Sequence, residues 1–258
     1  MPARKKIAVT GATGRVGRHI VAALEAEGHD VVPMSRSLGV DVVTGEGLAE
    51  ALAGVECIVD AATGPSPDYE SANAFFTASA RNLQEAGARA GVQRIVLVSI
   101  IGIDRFEGGY NAAKLGQERA HQAGPIPVRV LRAAQFHEFV EVLMDWGRQG
   151  DVAYVWKMRT QLVAAQIVGE ELARLATDPG ASNGRILEIA GPREESLVEA
   201  AALVAARRGG PARVEGVDAP GPDSALYEAG ERGVRPDVRG VAGRGRAMSF
   251  RPGAGLNG

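Results

Sequence analysis

Only one of the 258 residues is a cysteine, Cys57, so an internal disulfide is excluded and a reducing cytoplasm is the expected location. Aromatic residues make up just 5% of the chain. Neither sign of charge dominates: the formal net charge is −2, which lacks the basic excess of a nucleic-acid binder. Long apolar runs are missing as well. The longest, Ile95 to Ile103, is interrupted by Ser99 and Gly102, and nothing reaches the length of a membrane-spanning helix. The apolar stretch after the basic start is too short for a secretory signal. His19, His29 and His121 are scattered singly, without metal-ligand spacing, so no metal site is expected.

What the chain has in quantity is Ala, Val and Gly, a composition suited to parallel strands covered by small-residue helices. Short apolar runs alternate with helical patterns. Strands are predicted at Ile7 to Thr10, Val31 to Ser35, Asp41 to Val43, Glu56 to Ala62, Arg94 to Ser99 and Val128 to Arg132. Pro33 marks the second of these as an edge strand or a strand end. Helices are predicted over Arg15 to Glu27, Gly47 to Ala53, Tyr69 to Ala90 and Tyr110 to Gln122. Alternation of this kind predicts an α/β fold, a doubly wound parallel sheet with helices on both faces. From Gln135 the pattern loosens, and about 135–220 reads as a small substrate cap embedded in a 1–220 domain. Within it, Phe136 to Arg148, Val168 to Ala176 and Glu194 to Arg208 read as helices, and Val152 to Val155 and Arg185 to Ile189 as strands. Residues 221–258 read as an irregular tail, with eight glycines and six arginines between 228 and 258.

Between the first strand and the first helix runs Val9-Thr10-Gly11-Ala12-Thr13-Gly14-Arg15-Val16-Gly17. Gly11 makes the turn out of the strand, Gly14 leaves room for a diphosphate, and Gly17 lets the helix pack closely. The helix start then offers free N–H groups and a positive dipole end to the phosphates. Strand, glycine turn, helix and strand in this order form a Rossmann-type dinucleotide site, with Gly11, Thr13, Gly14, Arg15, Val16 and Gly17 as its cofactor-binding residues.

Ser35-Arg36-Ser37 stands where an NAD-selective site would carry a carboxylate for the ribose. A guanidinium there can pair bidentately with a 2′-phosphate, which predicts NADP(H) as cofactor. The bland alternative is that Arg36 stacks on adenine or lies in solvent. Arg15 is a second candidate phosphate partner. Asp41 reads equally well as an acceptor for the adenine amino group or as a turn residue. Small residues Ala61, Ala62 and Thr63 at the end of the next strand leave space for the ribose and phosphates.

Ser99 ends a strand, and Tyr110 and Lys114 follow at a spacing of four, on one helical face. A lysine beside a phenol favours phenolate, so a lowered Tyr110 pKa is expected, with Tyr110 as general acid or base and Ser99 as donor to a substrate carbonyl. Lys114 also suits the nicotinamide ribose. Phe136 and His137 are candidate substrate-pocket residues, with packing or surface exposure the alternative for His137. Trp146 and Trp156 read as cap or core packing, and Cys57 as a buried, inert thiol.

Together, Thr10 to Gly17, Arg36, Gly91 to Ser99, Tyr110 to Lys114 and Leu131 to His137 resemble the short-chain dehydrogenase/reductase superfamily, most closely its atypical NmrA-like, NAD(P)H-binding branch. The resemblance implies NADP(H) binding, catalytic roles for Ser99, Tyr110 and Lys114, and a small-molecule substrate handled by a monomer or homodimer. It also implies a water relay to the lysine or a packing role for Asn82. The segment Arg132-Ala133-Ala134-Gln135 departs from the superfamily's Pro-Gly. Three activities fit: an NADPH-dependent reductase of a small carbonyl or enone, a non-catalytic NADP(H) sensor, or a sugar-type epimerase.

Overall fold

The structure, a computed structural model, describes residues 3–180, 184, 186–220 and 223–230. Its centre is a six-stranded, fully parallel sheet. The strands are β1 (Lys6–Thr10), β2 (Asp30–Met34), β3 (Cys57–Asp60), β4 (Arg94–Ile100) and β5 (Val128–Ala133), joined later by Ile186–Ile189, in the spatial order β2-β1-β3-β4-β5 and then the late strand. The order reverses at β1, whose neighbours are β2 and β3, with Thr10 opposite both Met34 and Asp60. Ligands bind parallel sheets of this kind outside the carboxyl ends of the strands, at such a reversal. Pro33 lies in β2, the edge strand, where a missing N–H costs no ladder bond.

Alternating side chains send the two faces of the sheet into two cores. On one face Ile7, Val9, Val59, Val96 and Leu131 pack against Ile20 and Leu24 of α1 (Gly17–Ala26). On the other face Ala8, Ile58, Ile95, Leu97 and Val130 pack with Leu48 of α2 (Leu48–Ala51) and Leu83 and Ala86 of α3 (Tyr69–Ala90). Helix α4 (Gly109–Gln122) lies beside α3 and carries Tyr110 and Lys114. Each fully buried Leu or Ile contributes about 2 kcal/mol, so the layers hold the strand ends, and hence the site, in place. Cys57 is buried in the first core, and desolvation pushes its thiol up to about 12, leaving it protonated and unreactive.

The second half divides between this body and the cap. Helix α5 (His137–Trp146), strands β6 (Arg148–Gln149), β7 (Val152–Trp156) and β8 (Arg159–Thr160) belong to the cap. Then α6 (Ala165–Thr177) and β9 (Ile186–Ile189), the late strand, return to the main sheet: α6 packs against α1, and β9 pairs with β5. Reading the whole of 135–220 as cap is therefore corrected, because the buried face of α6 (Val168, Leu172, Leu175) belongs to the first core. The chain re-enters the cap through β10 (Glu195–Ser196), α7 (Leu197–Arg208) and β11 (Arg213–Val217). There β11-β7-β6 form a small sheet under α5 and α7, around Val140, Leu143, Val155 and Leu197.

Two further differences have local causes. The strand expected at Asp41 to Val43 is a turn: Asp41 Oδ1 accepts the N–H of Val43 at 2.7 Å and of Thr44 at 3.3 Å, and Asn82 donates to the carbonyls of Val42 (3.0 Å) and Val43 (2.7 Å). The tail is not irregular throughout, since α8 (Ser224–Ala229) forms within it; residues 231–258 lie outside the described residues.

The carboxyl end of α6 is held by three cations. Lys5 Nζ donates to Thr177 O at 2.8 Å, and Arg94 to Asp178 O at 3.0 Å. Buried Arg129 donates to Leu175 O at 2.6 Å and to Asp178 O at 2.8 Å. Arg129→Met should therefore lower stability by about 3 kcal/mol in urea unfolding, since buried carbonyls lose a charged donor.

Candidate active site

The glycine turn is built by contact. Gly11 adopts φ +60°, and a Cβ there would stand 2.6 Å from Ala61 O. A Cβ on Gly17 would stand 2.0 Å from Gly11 O, so only glycine lets α1 start this close to the end of β1. Gly14 N–H closes the turn on Gly11 O at 2.8 Å, and Ala12 N–H reaches Met34 O at 3.2 Å, tying the turn to the end of β2. Helix α1 has no side-chain cap and no acidic residue in its first turn. Its N-terminal dipole is left for an anion.

Arg36 stands just past β2, exposed, in a short 3₁₀ turn. Ser35 and Ser37 share a hydroxyl hydrogen bond of 2.9 Å beside it. Arg15 is turned elsewhere: its guanidinium lies over the Phe139 ring of α5, 5.6 Å from the centroid, linking turn and cap. Thr13 is exposed and Val16 buried. The hydrogen bonds of Asp41 are those of a turn residue, as one of its two readings had it.

Ala61, Ala62 and Thr63 follow β3 at the same sheet end. Thr63 Oγ1 lies 2.9 Å from Tyr110 Oη, so the expected cofactor ledge and the expected catalytic phenol touch. Ser99 shares the parity of Ile95 and Leu97 on β4, and so faces the α3 and α4 side. Its hydroxyl is buried and has no hydrogen-bond partner among the described residues. Such an unpaired polar atom costs stability and suits a donor held for a ligand.

The expected lysine effect on Tyr110 is corrected. Burial raises the Tyr110 pKa and the Thr63 bond only partly opposes it. The reason is Phe76 of α3. Its ring meets Tyr110 edge-on at 5.5 Å between centroids, while Lys114 Nζ sits 4.6 Å above the same ring instead of on the phenol. Lys114 is 5% exposed, and desolvation draws it down to about 8 against the opposing charges of Asp60 and Glu118. Glu118 itself is paired by Arg132 at 2.9 Å.

Three features escape a reading of the sequence. Asp60, wholly buried at the end of β3, binds Thr10, Gln117 and His121, and a carboxylate inside an apolar strand was the available signal. His121, read as scattered, belongs to this cluster. Helix α8 closes over the loop before α4: Asp223 Oδ2 accepts from Gly108 N–H at 3.1 Å, and Asn111 donates to Tyr227 Oη at 3.2 Å. The Tyr227 ring lies tilted against those of Phe106, at 5.0 Å between centroids, and Trp156, at 5.7 Å. Asn82 holds the 41–44 turn, a packing role. Phe136 packs against the first core, His137 is exposed, and Trp146 is exposed beside Phe139.

Comparison with known proteins agrees with this architecture. Residues 11–123, from the glycine turn to the end of α4, match the model of the NAD(P)H-binding family. The L-arabinose 1-dehydrogenase (NAD(P)(+)) of Haloferax volcanii is 37% identical over 103 residues, 36% of this chain and 40% of that protein. The chain thus spans under half the length of the curated relatives it matches. Among solved structures, MoeE5 in complex with UDP-glucose and NAD has a TM-score of 0.66 at 19% identity, covering 87% of this chain and 92% of that one. The Citrobacter sp. triphenylmethane reductase complexed with NADP(H) has a TM-score of 0.58 at 18% identity, covering 87% of each. The likeness to these solved structures shows a shared Rossmann-like fold.

A buried lysine that titrates near 8 in the folded chain and near 10.5 unfolded costs stability at neutral pH. The unfolded state binds the extra proton between those values, so stability recovers as pH rises from 8 towards 10.5. Lys114→Met should accordingly stabilise the cofactor-free protein at pH 7 by about 2 kcal/mol. Denaturant melts at pH 7 and pH 10 check this, the gain being smaller at pH 10.

Proposed function

We propose that this protein is an NADP(H)-dependent oxidoreductase that reduces the carbonyl or activated alkene of a small organic substrate. One observation carries the reading: at the sheet end beside the uncapped α1, an unpaired Ser99 hydroxyl and the Tyr110 phenol face the same side of β4 as Lys114. The residues present fit the dinucleotide. The Gly11–Gly17 turn and α1 N-terminus would hold its diphosphate, and exposed Arg36 the 2′-phosphate. Ala61 to Thr63 would line the adenosine side, and Lys114 the nicotinamide ribose. When bound, the nicotinamide supplies hydride chemistry.

The protein's own part is proton delivery and orientation. Ser99 O–H donates to the substrate oxygen and fixes it. Tyr110, kept protonated by burial at neutral pH, delivers its proton to that oxygen, and the Thr63 hydroxyl beside it can bond the resulting phenolate. Arg15 bridges the glycine turn and α5 through Phe139, and Tyr227 on α8 holds Asn111 of α4. The presence of both the hydroxyl pair and the lysine favours turnover over sensing alone.

Two substitutions test the reading. Arg36→Ala should weaken NADPH binding about 10- to 100-fold, the worth of one or two charged hydrogen bonds, and leave NADH binding nearly unchanged in fluorescence titrations. Tyr110→Phe should keep NADPH affinity but lose at least about 100-fold in turnover across a panel of carbonyl and enone substrates. Wild-type protein that binds NADPH yet consumes none with any of them would favour the sensor.

A further inference from the structure

Asp60 is the most enclosed charged group of the site end, with no exposed surface. Its oxygens are fully used. Oδ1 accepts the Thr10 hydroxyl at 2.5 Å and the Ala62 N–H at 3.2 Å. Oδ2 accepts Gln117 Nε2 at 2.9 Å and His121 Nε2 at 3.0 Å. Thr10 Oγ1 in turn accepts the N–H groups of Ala61 and Ala62, both at 3.1 Å. Three segments meet on one carboxylate: the end of β1 where the glycine turn begins, the ledge that touches Tyr110, and α4. On α4, Lys114, Gln117 and His121 lie at spacings of three and four, along a single buried face.

We propose that Asp60 is the positioning residue of this site: its carboxylate locks the glycine turn, the Ala61–Thr63 ledge and α4 into one unit, and serves as a buried counter-charge to Lys114, which stands about one turn before Gln117 on the same buried face of α4. The inference rests on the reading of Lys114 as a cofactor-facing lysine. The groups acting on that ammonium are Asp60 from β3, Glu118 from α4 and the Phe76 ring from α3. Glu118 is shared with Arg132, which also pairs with Asp104 at 2.7 Å, and Asp60 is the larger of the two negative charges acting on Lys114. His121 Nδ1 is buried with no hydrogen-bond partner among the described residues, and Nε2 is the nitrogen that donates to the Asp60 carboxylate.

The test is a titration of the lysine itself, without cofactor. In protein labelled with ¹³C at lysine Cε, the Lys114 signal is assigned by its loss in Lys114→Met and followed from pH 6 to 11. Asp60→Asn should lower its midpoint by on the order of one pH unit. This variant keeps the size of the side chain, and His121 can shift its proton to Nδ1 and accept the new amide. The same variant should weaken NADPH binding, because turn and helix lose their common anchor. An unchanged Lys114 midpoint in folded Asp60→Asn overturns the assignment. Should Asp60→Asn fail to fold, wild-type protein decides: the Asp60 ¹³Cγ signal must inflect at the Lys114 midpoint, and a flat trace overturns the proposal. Wild-type protein that binds no NADPH would defeat the cofactor reading, while the lysine titration stands apart from it.

Discussion

Everything at the site end depends on one contact that leaves no room for a side chain, the seat of Gly17 against the Gly11 carbonyl. It brings the first turn of α1 to the carboxyl end of β1 with its N–H groups uncapped. Because β1 is where the strand order reverses, the positive end of that helix faces the open crevice and not a neighbouring crossover. The two cores on either face of the sheet fix the helix axis. Ile20 and Leu24 on α1 are wholly buried beside Val168 and Leu172 of α6, so the turn is braced from behind by an element more than 140 residues away in the chain.

A second layer of control is electrostatic, and it is expensive. The site end buries Lys114, Asp60, Glu118 and Arg132 together, although charged side chains are seldom so enclosed. Each is compensated. Burial would raise Asp60, but the His121 hydrogen bond and charge, Lys114 and the Thr10 hydroxyl together hold it below the usual carboxylate range. Arg132 bridges Glu118 and Asp104. The result is a rigid polar seam at the carboxyl ends of β1 and β3 and along the buried face of α4.

Much of this was legible in the sequence, and the boundary is physical. The glycine turn, the strand alternation and the Tyr110–Lys114 spacing are short-range patterns, and the structure has them in place. The edge position of β2 followed from Pro33. Val42 and Val43 suggested a strand because both are β-branched, yet the Asp41 side chain and Asn82, forty residues away, claimed their backbone. Periodicity showed that α6 is amphipathic but not which core its stripe enters. Asp60 was hidden because its partners lie 50 to 61 residues distant. Helix α8 has six residues, too few for a period, and is held by Phe106, Asn111 and Trp156. The Tyr110 pKa went the wrong way because spacing reveals a neighbour but not the ring of Phe76 that both side chains share.

Isothermal titration of the intact chain with NADPH and NADH tests the central claim most directly. Saturable binding of one NADPH per chain, clearly tighter than NADH and weakened by added salt, is what a helix N-terminus with a nearby guanidinium predicts. No heat with either dinucleotide would contradict it.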